Sequence, residues 1–228
     1  MACDAISTSA SPGRTGNRVT SSAYDLRALV DDTTRVVRSV ADDRARCDAI
    51  APFLRRWMED WSPARRGLAA ASDALPERYT QPCDGRACGH LLYTDPQGEF
   101  FVISVVFPSG TSSGVHYHGA WGVIGILAGT DEETKYVRDA DPERVGVGQS
   151  CELRQSEKLY SPAGTISYLL PPLEGFHRVK AVGEETGVSM HILGGTPETH
   201  PHFFCDGATK TLTDFPMAGI ITHEPLIR

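Results

Sequence analysis

Two histidines, His116 and His118, stand two apart after the Gly/Ser-rich turn Gly110-Thr111-Ser112-Ser113-Gly114 and before an apolar run that ends at Gly129. In a β-strand, residues i and i+2 face the same side. An extended conformation would therefore point both imidazoles into one space. Neutral imidazole is a good ligand for Fe, Zn, Ni and Cu, so the pair reads as part of a metal site. A third histidine, His177, follows the turn Pro171-Pro172-Leu173-Glu174-Gly175. Flanked by Phe176 and Val179, it reads by itself equally well as a core or turn histidine.

These residues need a scaffold of many short strands, and the chain supplies one. Its 228 residues, 40% hydrophobic and 22% charged, suit one good core with a helical annex. The net charge of -7 comes from mixed acidic and basic residues without a Lys/Arg block, which argues against nucleic acid or an anionic membrane as partner. No stretch has transmembrane length, and the N-terminus lacks a signal-type apolar core, so the expected location is cytoplasmic. The six cysteines are scattered and read as free thiols.

Residues 1–20 read as a disordered tail, and 21–82 as a helical segment. Leu26, Leu29, Val30, Thr33, Val36, Val37 and Val40 form one amphipathic stripe. Ile50, Phe53, Leu54, Trp57, Met58 and Trp61 form a second, after Asp48 and before Pro63, and a short helix is predicted at Arg66–Ser72. From residue 83 the pattern is extended. His90–Tyr93, Glu99–Phe107, the His116/His118 segment, Gly119–Leu127, Glu133–Val137, Ser150–Leu159, Ile166–Leu170, Phe176–Val179 and Val188–Leu193 read as strands broken by Gly/Pro turns. Strands without helices between them predict antiparallel sheets in a sandwich or barrel. Residues 83–228 form that unit, and the last thirty read as a loop-like extension carrying His200, His202 and His223.

The turn, the His-x-His pair, the apolar strand closing at Gly129, the later Pro/Gly turn and the histidine beyond it together resemble the two motifs of the cupin superfamily. The segments "HLLYTD…FFVISVVFPSG", "HYHGAWGVIGILAG", "FHRVKAV" and "GVSMHILGG" resemble the thiol dioxygenases, meaning cysteine dioxygenase and bacterial 3-mercaptopropionate dioxygenase, over residues 24–195. The resemblance implies a mainly β fold, a cupin double-stranded β-helix or jelly-roll barrel with an N-terminal helical segment. It also implies one Fe(II) on His116, His118 and His177, with a small-molecule substrate and O2 as partners and a monomer or weak homo-oligomer. Ordinary cupins place a glutamate soon after the histidine pair, whereas Gly119–Gly125 contains no acid.

The family's late Ser-x-His-x-Tyr series corresponds to Ser189, His191 and Leu193, so Ser189 and His191 are the expected catalytic relay and the tyrosine is absent. The family's carboxylate-binding arginine has no counterpart at Cys88-Gly89-His90 or at 200–204. The cysteine that cross-links to the tyrosine in animal enzymes falls near Gly122. His90, Trp121, Leu193, His202 and Phe203 are the expected substrate-pocket residues, with Arg178 read as structural. The implied activity is insertion of O2 into a metal-chelating substrate, first a thiol oxidised to a sulfinate. Cleavage of a carbon–carbon bond in a diketone or phenol, and metal binding without catalysis, remain alternatives.

Overall fold

A computed structural model describes residues 24–61, 75–138, 144–172, 174–219, 221 and 224–227. The tail, the helix expected at 66–72 and His223 lie outside these. Eleven strands follow two helices: β1 Cys88–Thr94, β2 Phe100–Phe107, β3 His116–His118, β4 Gly122–Ala128, β5 Thr130–Arg138, β6 Leu153–Pro162, β7 Ile166–Leu169, β8 Phe176–Val182, β9 Gly187–Gly194, β10 His202–Cys205 and β11 Leu212–Asp214. They form a five-stranded sheet ordered β1-β2-β9-β4-β7 and a six-stranded sheet ordered β11-β10-β3-β8-β5-β6, both antiparallel. Consecutive strands from β2 to β5 alternate between the sheets, as do β7, β8 and β9. This winding is consistent with a cupin double-stranded β-helix.

β2 and β9 are buried at every position, which explains why β2 reads as an unbroken apolar run. On one face Phe101, Ile103, Val105, Phe107, Ile124, Ile126 and Leu193 meet Ala181 and Val179 of the other sheet. On the opposite face Phe100, Val102, Val106, Val123, Met190 and Ile192 pack against the helices.

Helix α1, Leu26–Ser39, starts where Asp25 accepts the Ala28 amide at 2.8 Å, satisfying a donor the helix cannot. It buries Leu26, Leu29, Val30, Thr33 and Val37, the stripe expected from the spacing. Helix α2, Asp43–Trp61, begins ahead of its apolar stripe because Asp42 caps it, accepting the Ala45 amide at 2.8 Å. It lies on β4 at Gly125, where a Cβ would come 2.5 Å from Met58 Sδ and 3.1 Å from Leu54 Cδ2. Glycine at this position allows the close approach. No helix among the described residues is long and apolar enough to cross a membrane.

Two expectations are corrected. The C-terminal segment is not only loop: β10 pairs with β3, and β11 with β10, extending the sheet on the side of the His-x-His strand. Its strands are four and three residues long, too short to carry a readable period. The cysteines are not all free thiols. Cys83–Cys88 and Cys151–Cys205 are disulfides, and Cys47 is the free cysteine among the described residues, its thiol pushed up to about 12 by burial. Cys151 and Cys205 are 54 positions apart in sequence and meet because the segment after β10 folds back, with the Cys151 amide donating to Lys210 O at 2.9 Å. Closing a loop of that length stabilises a chain by about 4 kcal/mol in the entropic account. Replacing both Cys151 and Cys205 by serine is expected to cost about 2–4 kcal/mol in urea unfolding. An unchanged urea midpoint would contradict a stabilising role.

Candidate metal centre

Three neighbouring strands of the six-stranded sheet bring four imidazoles to one face. His116 and His118 alternate with Tyr117 along β3, and Tyr117 packs on the other face against Phe176 and Phe203. His177 pairs directly with His116, and His202 with His118. The strand is entered through Gly114, whose φ of +73° and whose approach to the Phe204 ring, 2.6 Å from where a Cβ would lie, both require glycine. His116, His118 and His177 are all buried, and their ligand atoms lie within 4.8 Å of one another. The ring centroids of His116 and His177 are 4.3 Å apart, and those of His118 and His177 are 5.3 Å apart.

Hydrogen bonds at the outer nitrogens decide what the inner ones can do. His177 Nδ1–H donates to Glu133 Oε1 at 2.7 Å. His116 Nδ1 faces the Gly114 carbonyl at 3.3 Å, an acceptor only, so this nitrogen carries the proton. His200 Nδ1–H donates to Gly194 O at 2.8 Å, which makes His200 Nε2 an acceptor and His118 Nδ1–H its donor at 2.9 Å. Each outer Nδ1 is thus occupied as a donor, and each Nε2 keeps its lone pair. His177 Nε2 is buried without a hydrogen-bond partner. A buried polar atom left unsatisfied is costly unless something coordinates it.

Electrostatics point the same way. Burial, then the neighbouring imidazoles His177 and His202, hold His116 well below the ordinary histidine value. Burial, then His202 and His116, do the same for His118. Burial raises the carboxyl of Glu133, but the hydrogen bond from His177, with Lys135 nearby, outweighs it and leaves the group below its usual range. Neutral imidazoles whose outer N–H groups are anchored make strong, oriented ligands. The donor set fits a divalent transition metal on His116, His118 and His177, with Glu133 and His200 supporting from outside.

The cluster ends a cavity of about 230 Å³. Val105 and Phe107 of β2, Val179 of β8, Phe215 and Met217 form apolar walls, and Ser112, Ser113, His191 and His202 add polar atoms. Among the described residues, no Lys, Arg, Asp or Glu lines it. Ser189 Oγ lies 2.9 Å from His191 Nε2, and His191 Nδ1 is buried without a partner. Burial, then His177, lowers His191 to about 3. His202 donates Nδ1–H to Phe215 O at 2.7 Å, and burial lowers it to about 4.

Of the expected pocket residues, His202 lines the cavity and the others stand elsewhere. His90 meets Gln81 O and the Tyr79 ring. Trp121 is a core residue under the Arg46 guanidinium. Leu193 is fully buried between the sheets, where a Cβ on Gly122 would lie 2.7 Å from its Cδ2. Phe203 faces away beside Tyr117. Alternation along β10 puts His202 and Phe203 on opposite faces.

The sequence reading missed Glu133 and the supporting role of His200. A signal existed for the first: Asp131 and Glu133 are two apart just after the Gly129 turn, on a strand now seen beside β8. The carboxylate absent after the histidine pair is supplied from β5, outside the ligand ring. Asp131 shares the buried face, and behind His177 and His191 it borders a small void of about 20 Å³ with Glu133, Ser161 and Ser189. Its Oδ1 has no partner, and burial together with the Glu133 charge raises its pKa to about 6.

No family model matches the sequence. Among solved structures, the chain is similar to an uncharacterised protein with a double-stranded β-helix domain from Klebsiella pneumoniae, at 14% identity and a TM-score of 0.38, over 52% of this chain and 85% of that one. It is also similar to an RmlC-like cupin protein from Desulfovibrio desulfuricans, at 22% identity and a TM-score of 0.33, over 50% of this chain and 88% of that one. An RmlC-like cupin family protein from Methanocaldococcus jannaschii overlays at 14% identity and a TM-score of 0.35, over 49% and 82%. Independently of these overlays, the two antiparallel sheets are consistent with a cupin double-stranded β-helix, and the described residues carry a three-histidine cluster.

Two variants test this centre. His177→Ala is expected to abolish stoichiometric binding of a divalent metal, and Glu133→Gln to weaken it about 10- to 100-fold, measured by chelator competition. A folded His177→Ala protein with parental affinity would remove His177 from the ligand set. Asp131 gives a separate pH signature. A carboxyl whose pKa is raised on folding contributes stability below about pH 4 that is lost as pH rises through about 6. Asp131→Asn is therefore expected to be more stable than the parent at pH 8, by about 1–3 kcal/mol, with the gap closing below about pH 4. A gap that does not vary with pH in thermal melts would contradict this.

Proposed function

We propose that the chain is a mononuclear non-haem iron dioxygenase that oxidises a small thiol to a sulfinate. One observation carries this reading: three buried imidazoles with anchored Nδ1–H groups bring ligand atoms within 4.8 Å of one another in the lining of a mostly apolar cavity. Fe(II) held there would bind an anionic thiolate and supply electrons for reaction with dioxygen. The overall reaction balances without a reductant. Both oxygen atoms end on sulfur, and the thiol releases one proton.

The chain's own residues position and shield this chemistry. The apolar walls exclude water, while His202 and the Ser112 and Ser113 segment offer neutral hydrogen-bonding groups. His191, held neutral by burial, exchanges a hydrogen bond with Ser189 at 2.9 Å and presents its ring to the cavity. In that state it orients a bound group rather than storing a proton.

The same lining supports a departure in substrate. With no arginine or lysine among its described residues, the cavity suits a thiol with an uncharged body better than an amino acid or a mercapto acid. It also keeps a second reading open at this site, cleavage of a diketone or phenol, since neither needs a cation to hold it.

The experiment is anaerobic purification with metal analysis, followed by oxygen-electrode screening of the iron-loaded protein. The panel is alkyl thiols, cysteamine, cysteine, 3-mercaptopropionate, β-diketones and catechols. Oxygen uptake matched by sulfinate, faster with an uncharged thiol than with 3-mercaptopropionate, is the expected result. Uptake only with a diketone or catechol would replace the thiol reading with the second one. No uptake with any of them would overturn the oxygenase reading.

A further inference from the structure

The hairpin that carries Cys83 and Cys88 has a chemistry of its own. The Cys83 amide donates to Arg86 O at 3.1 Å and the Arg86 amide to Cys83 O at 2.9 Å. Between them Asp84 and Gly85 have φ of 50° and 71°, the paired left-handed positions of a tight hairpin turn. The turn is therefore closed by its backbone before any sulfur chemistry is considered. A disulfide that links residues only five positions apart removes about half as much loop entropy as Cys151–Cys205, which links residues 54 positions apart. Cys83–Cys88 is the weaker staple of the two.

The two cysteines have unlike surroundings. Cys83 is half-buried at the base of an exposed stretch, Asp84 to Ala87. Cys88 is 6% exposed, at the start of β1. His90 Nε2 lies 2.9 Å from Gln81 O, a pure acceptor, so this nitrogen carries the proton, and it lies 3.5 Å from Cys88 Sγ. An N–H group beside a sulfur stabilises that sulfur as a thiolate. Ala87 and Cys88 also belong to the wall of the metal cavity.

We propose that Cys83–Cys88 is a redox-active site that exchanges with low-molecular-weight thiols, with attack on Cys83 and departure of Cys88. An external thiolate forms a bond to Cys83 Sγ, the intrachain S–S bond breaks, and its electron pair leaves on Cys88 Sγ beside the His90 N–H. A second thiol then attacks the external sulfur of the mixed disulfide. The external thiols leave as their disulfide, and the hairpin keeps the two electrons and two protons as a dithiol. Leaving-group stabilisation speeds such exchange, and access directs it to the more exposed sulfur. The proposal does not rest on the function proposed for the histidine cluster.

The test uses the full chain, oxidised, equilibrated with reduced and oxidised glutathione in varied ratio, then acid-quenched, alkylated and mapped by mass spectrometry. Cys83–Cys88 is expected to open at ratios that leave Cys151–Cys205 intact, with an unchanged circular dichroism spectrum. In single-cysteine variants, glutathione is expected on Cys83 in Cys88→Ser far more than on Cys88 in Cys83→Ser. His90→Gln is expected to slow opening by about threefold or more, the effect of one pKa unit at the leaving sulfur. Opening of both disulfides together with loss of the folded spectrum would overturn the proposal. So would stoichiometric capture of added zinc by the reduced protein through Cys83, Cys88 and His90, whose ligand atoms lie within 4.8 Å of one another. That result would make the trio a metal site.

Discussion

The centre depends on where three Nδ1 protons go. A histidine can offer a metal only the nitrogen that is not already a donor, and here Glu133, Gly114 O and His200 fix that choice from outside. If any of these acceptors were removed, the ring could rotate or change tautomer, and the lone pair would no longer be aimed. The barrel exists around this constraint: β5 delivers Glu133, the turn before β3 delivers Gly114 O, and the segment entering β10 delivers His200. Three separate pieces of chain must be in register before three imidazoles converge.

That arrangement explains why a carboxylate can matter to the centre without being a ligand. Glu133 lies outside the ring, accepting from His177, and is held ionised against its burial by that contact. Charge placed there raises the donor strength of one imidazole while leaving the inner face neutral. Asp131, two residues earlier on the same buried face, has no such partner and is pushed the other way. The two acids divide by environment: a matched hydrogen bond keeps one charged, and its absence leaves the other favouring the protonated form.

Under the proposed function, the cavity would set the substrate as the histidines would set the chemistry. Its described walls are apolar with neutral polar groups, so a ligand bound there would be held by shape and hydrogen bonds rather than by an ion pair. A pocket of this kind gains selectivity mainly by size and by leaving charged competitors unpaired. Leu193, fully buried, is used for packing against Gly122 and not for lining the cavity.

Much of this was legible in the chain. Period-three-to-four patterns gave the helices, because a single buried face leaves its period in the sequence, and extended apolar segments between Gly/Pro turns gave the strands, β2 as an unbroken run because both its faces are buried. His116 and His118 could be placed on one face from their spacing alone, and a family resemblance supplied His177. Register, which no local pattern encodes, decided the rest. It set His177 opposite His116 and brought His202 beside His118, which leaves Phe203 on the other face. It likewise joined Cys151 to Cys205 across 54 positions. Sequence determined which residues could do chemistry; only the pairing of distant strands decided which of them share a space, since contacts between separate elements depend on how the whole chain closes.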